Sequence, residues 1–159
     1  LRLVLVLETH LLLQFLMYIK NIQEVTSFGR QIIIDIAQIN ADNYEYYCKK
    51  MLNQISYMNC IQAIDYAIVH MDFFGDDRWH LVNIMDKKIS DIFNSDECYQ
   101  LKQLAISGKD VASFGFKGKE IGVMLNYLLD MVMNNVLPNE REALLNRLDE
   151  LNGERLCEK

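Results

Sequence analysis

Apolar residues return at intervals of three and four along nearly all of this 159-residue chain, and only one proline and seven glycines interrupt them. That spacing gathers them on one side of an α-helix and leaves few points where a chain could turn between short strands. Tyr44, Tyr47, Cys48, Met51, Leu52, Ile55 and Met58 predict a helix over about 42–57, capped by Asp42 or Asn43. Ile61, Ile64, Ile68 and Met71 predict a second helix, and Leu81, Met85, Ile89 and Ile92 a third, with residues 73–77 as the connection. Ile32, Ile33, Ile34, Ile36 and Ile39 are β-branched, but with helical patterns on both sides and no partner strand they too read as helix. Beyond Asn94-Ser95-Asp96 the glycines of Ser107-Gly108 and of 115–118 bracket a short helix begun near Asp110. A longer helix over about 119–134 carries Ile121, Leu125, Leu128 and Val132 on one stripe and ends at Asn134-Asn135 before Pro138. Asn139 with Glu142 forms a capping-box pattern opening a last helix, whose Leu144, Leu145, Leu148 and Leu151 face inward. The expected fold is all-α: a bundle-like helical body over 1–95, then a smaller helical tail over 96–159.

A hydrophobic content of 51% is enough for a packed core. The apolar run 1–22 is broken by Arg2, Glu8, His10 and Gln14 before the ~18 uncharged residues of a spanning helix accumulate, so a core helix is expected and no membrane partner. No small-residue cleavage site follows the run, which disfavours a signal peptide. Because the chain opens on leucine inside that run, it reads as a piece of a longer protein. Cys48, Cys60, Cys98 and Cys157 fit neither a Cys-x-x-Cys knuckle nor a dense disulfide frame, so they read as reduced thiols of a cytoplasmic protein. The net charge of −6 excludes indiscriminate coating of nucleic acid. It leaves room for a local basic patch, and residues 101–119 hold four lysines against one aspartate.

That patch leads into Gly118-Lys119-Glu120-Ile121-Gly122, where a helix is expected to begin. The first amides of a helix lack internal partners and carry the positive end of its dipole, so a phosphate there gains hydrogen bonds, with Lys109, Lys117 and Lys119 adding charge. The alternative is a glycine turn for close helix packing, with Gly122 making room for a neighbour. Phosphate-loop spacing is absent. His70, Asp72, Asp76, Asp77 and His80 form the one metal-like cluster, but no adjacent His-Asp pair or third soft ligand accompanies them; they read as solvated loop acids, and no metal site is expected. Trp79 reads as a packing anchor. No serine sits in a nucleophile elbow, so no catalytic residue is assigned. Tyr46, Lys49 and Lys50 read as a solvated helix face beside the buried Tyr44 and Tyr47.

The ordered run Leu104-Ala105-Ile106-Ser107-Gly108-Lys109-Asp110-Val111, Gly115-Phe116-Lys117-Gly118-Lys119-Glu120-Ile121-Gly122, Leu125, Leu128-Leu129, Val132, Asn139-Glu140-Arg141 and Leu144 resembles the C-terminal part of bacterial CCA-adding tRNA nucleotidyltransferases and their poly(A) polymerase relatives. The similarity covers about 96–151, with a weaker echo at Ala41-Asp42. Val111 stands where the family often has leucine. The resemblance implies a body and tail that hold tRNA while a separate head adds nucleotides to its 3′ end, with Lys109, Lys117, Gly118, Lys119 and Gly122 on the RNA backbone. It also implies Mg2+ and CTP or ATP as cofactors of that head, whose Gly-Ser motif and Asp-x-Asp pair have no counterpart here. This chain is therefore expected to need no cofactor of its own and to be inactive alone. Its partners would be tRNA and the missing N-terminal head. A different class of reading is a helical interaction or assembly module without RNA contact, packing on the head or on a second copy.

Overall fold

The computed structural model describes residues 22, 23, 25–32, 38–40, 42–73 and 79–157, with side chains for all of these except 70–73, 79 and 155–157. The apolar run 1–21, the isoleucines at 33, 34 and 36, and the connection 74–78 lie outside the described residues, as do the side chains of His70, Asp72 and Trp79. A helical stretch at 25–32 is followed by α1 (Tyr44–Gln54), α2 (Tyr57–Phe73), α3 (Trp79–Phe93), a 3-10 turn (Leu101–Gln103), α4 (Gly108–Ser113), α5 (Lys119–Met133) and α6 (Arg141–Cys157). The fold is all-α, with no strand among the described residues.

The helical punctuation follows from side chains that compete for the backbone. The stripe that begins at Tyr44 stops at Ile55, which is extended (φ −133°, ψ 166°), because Ser56 opens the next helix by accepting the Asn59 amide on Oγ at 3.2 Å. Met58 therefore belongs to α2, and it is 60% exposed rather than part of the buried stripe. Asn43 precedes α1 without capping it: its amide group donates to the Gln38 carbonyl, while its Oδ1 accepts the Asn40 amide, both at 2.8 Å. Ser107 and Asp110 form a reciprocal capping box that starts α4 at Gly108, earlier than the spacing suggested. After α5, Asn135 takes a left-handed conformation (φ 55°), and the amides of Asn135 and Val136 return to the Val132 and Met131 carbonyls. Asparagine here performs the role glycine usually has in a Schellman ending.

α2 and α3 form an antiparallel pair, because Tyr57 at the start of one stacks on Phe93 at the end of the other with centroids 4.3 Å apart. α1 packs on α3, and a single buried cluster runs from Ile32 through Ile64, Met85 and Ile89 to Leu128, Leu144 and Leu148. Each of these large apolar side chains contributes about 1.5–3 kcal/mol by leaving water.

Lys49 overturns one expectation. It is 4% exposed, not part of a solvated face. Its ammonium lies 2.9 Å from Glu97 and 3.2 Å from Glu45, and it donates to Asn135 Oδ1 at 3.4 Å. Tyr46 is half-buried too, its hydroxyl donating to Asp130 Oδ1 at 2.7 Å. Burial, and then the bond to Asp130, push that hydroxyl up to about 12. With the Asn53 amide donating to the Tyr99 carbonyl at 2.8 Å, these contacts tie α1 to the chain that follows Asn94.

Candidate nucleic-acid interface

Two glycines set the geometry of the basic segment, in different ways. Gly108 starts α4 against α5: a Cβ there would meet Ile121 Cγ2 at 3.3 Å and Leu125 Cδ1 at 3.9 Å. This close approach packs α4 against the first two turns of α5. Gly118, which caps that start, has φ 55° and ψ −121°, a conformation that strains any L side chain although the space around it is open. The packing alternative for Gly122 fails, because a Cβ there would find nothing within 4 Å. Gly122 is an exposed glycine inside a helix, where glycine costs about 0.5–1 kcal/mol relative to alanine.

Lys109, Lys117, Gly118 and Lys119 are all exposed. Among the described residues no carboxylate pairs with any of the three ammonium groups. The neighbouring acids Asp110 and Glu120 have other partners. Glu120 accepts the Lys117 amide at 3.0 Å, and Asp110 Oδ2 accepts the Ser107 amide at 2.7 Å and the Ser107 hydroxyl at 2.8 Å. Arg141 from α6 pairs with the other oxygen of Asp110. The Arg141 guanidinium, followed by the Ser107 donors, holds the Asp110 carboxyl far below the usual carboxylate range.

α6 begins at Arg141, and Asn139 does not cap it. The Asn139 side chain instead spans to the 3-10 turn, accepting the Ala105 amide and donating to the Gln103 carbonyl, both at 2.9 Å. This bridge draws Arg141 over a groove of about 400 Å3 that Lys102, Ser107, Gly108 and Leu125 also line. In the sequence Lys102 enters only as local charge, and Arg141 lies far along the chain from the groove that it lines.

Among the described residues no group of three or more histidines, cysteines or acids is placed to hold a metal ion. Cys48 and Cys60 are fully buried, and burial pushes both thiols up to about 12, too high for a nucleophile near neutral pH. Among the described residues no helix is long and apolar enough to cross a membrane.

Comparison with known proteins gives one result. The family model described as "tRNA nucleotidyltransferase domain 2 putative" matches residues 12–148, reaching well upstream of the segment that carries the motifs above. No curated protein and no solved structure matches the chain. The family match takes in every helix from α1 to α5, the basic segment with its two structural glycines, and the first part of α6, and on that extent the chain belongs to the tRNA nucleotidyltransferase domain 2 family.

Proposed function

We propose that this chain is the tRNA-holding helical part of a CCA-adding type nucleotidyltransferase, with a body over 1–95 and a tail over 96–159, and that a catalytic head outside the chain supplies the chemistry. The observation that carries this reading is Gly122. Among the described residues nothing packs on this solvent-facing glycine one turn into α5, and it leaves backbone open to close approach beside Lys117 and Lys119. Phosphate oxygens fit such a surface, since backbone amides and ammonium groups position a duplex by shape without reading its sequence.

Replacing Lys117 and Lys119 together by glutamate is expected to weaken tRNA binding at low salt by on the order of tenfold, and to flatten the slope of log affinity against log salt by about two. Unchanged affinity in a gel-shift titration would remove these lysines from the site. Gly122→Ala separates function from structure. It should raise folding stability by about 0.5–1 kcal/mol while lowering tRNA affinity, because the added methyl group stands where the backbone of the ligand approaches. Greater stability with full affinity would show that the glycine has no part in binding.

A further inference from the structure

Arg141 is held in place by a partner that can do without it. Its side chain is 59% exposed, and it reaches only Oδ1 of Asp110. Asp110 keeps two hydrogen bonds from Ser107 through Oδ2 whether or not Arg141 is there. The guanidinium end of this pair is open to water, while the Asp110 side chain is 18% exposed, and a guanidinium presents a planar fork that matches phosphate oxygens. The groove below Arg141 has Lys102, Gly108 and the Asp110 carboxylate on its wall, so an anion entering it meets positive charge from the 3-10 turn and from α6 and the carboxylate from α4.

We propose that Arg141 is a phosphodiester-binding arm of the RNA surface, parked on Asp110 Oδ1 in the free protein and transferred to a backbone phosphate oxygen when RNA binds. The proposal rests on the reading that this tail holds tRNA. Asp110 then has two functions: with Ser107 it caps α4, and with Arg141 it keeps the arm aimed across the groove while lowering the attraction of the free surface for stray anions. Asparagine at 110 can still accept from Ser107 but carries no charge to hold the arginine.

The test is a double-mutant cycle on tRNA affinity at low salt, using Asp110→Asn, Arg141→Ala and the pair. The expected results are a several-fold gain for Asp110→Asn in the otherwise native protein, a several-fold loss for Arg141→Ala, and a smaller gain from Asp110→Asn once Arg141 is gone. Simple removal of a repelling carboxylate gives the opposite order, because Asp110 repels RNA more strongly when unpaired; that result overturns the proposal. Arg141→Lys should recover only part of the loss, since it restores charge without the fork. A measurement on the unmutated protein covers the case in which a variant misfolds. The carboxyl carbon of Asp110, followed by NMR, should titrate closer to the ordinary carboxylate range when tRNA is bound, and an unchanged titration defeats the transfer. If Lys117→Glu with Lys119→Glu weakens binding while the cycle shows the opposite order, the arm fails and the RNA-holding reading stands. If none of these variants alters affinity, both fail.

Discussion

Lys49→Ala is expected to destabilise the protein by about 2–4 kcal/mol, the largest effect of any single charged residue described. Breaking a fully buried ion pair by removing one partner typically costs about 3–5 kcal/mol, and the cost is lower here because water reaches the partners. The Lys49 side chain is 5% exposed, whereas Glu45 and Glu97 are 30% and 32% exposed. Lys88, at 3.0 Å from Glu45 and 3.8 Å from Glu97, offers partial compensation. Lys49→Met keeps most of the volume and removes the charge, so the difference between the two variants in urea midpoint divides packing from pairing. A midpoint for Lys49→Ala within experimental scatter of the native value would mean that the network contributes nothing.

The same network fixes a pH dependence. Burial raises the Glu45 carboxyl, but hydrogen bonds from Lys88 and Lys49 outweigh it and leave the group below its ordinary value. Stability from that shift is present above the unfolded value and is lost as pH falls through the folded one. For Lys88, burial acts downward, and the bond to and charge of Glu45 more than reverse it, leaving the group above its ordinary value. Its stability is present below the unfolded value and disappears as pH rises through the folded one. The two together give a plateau between the acid and alkaline limits, and Lys49→Ala, by shrinking the Glu45 shift, should make the loss on the acid side shallower.

Gly29→Ala is expected to cost about 1–3 kcal/mol, although the same change in an exposed helix normally gains up to about 1 kcal/mol. A Cβ at Gly29 would stand 2.5 Å from Tyr66 Cδ1 and 2.9 Å from the Ala63 carbonyl oxygen. The tyrosine ring can swing aside, but the carbonyl belongs to the backbone of α2, so the stretch 25–32 must back away from it. Ala63, fully buried, is the small residue of α2 at this approach. Gly122→Ala is the internal control, because one methyl group should then change stability in opposite directions at two helical glycines. If both substitutions stabilise the protein, the close crossing of 25–32 on α2 is wrong.

The glycines and lysines show where sequence reasoning reached its limit. Periodicity located α1, α2, α3, α5 and α6 to within a few residues, because apolar side chains spaced for one helical face have no other way to leave water together. It also picked out the basic segment, since a local charge excess is a property of adjacent residues. The packing alternative it offered for Gly122 falls to Gly108 instead, because crowding at a Cβ depends on which helix lies opposite. It put Lys49 in solvent, because a lysine on the edge of an apolar stripe looks the same whether or not two glutamates meet it. Asn139 kept the sequence signature of a cap while its side chain was engaged more than thirty positions away, at Gln103 and Ala105.

By itself, the sequence determined that the chain is helical, where most of its helices run, and that positive charge collects between residues 101 and 119, since each is set by residues within one or two turns of each other. Only the tertiary structure decided which of those charges are available. It buried Lys49 among carboxylates, left Lys109, Lys117 and Lys119 in water, and brought Arg141 to Asp110. Solvation and ion pairing depend on distance in space, and in this protein the decisive distances join residues that are far apart along the chain.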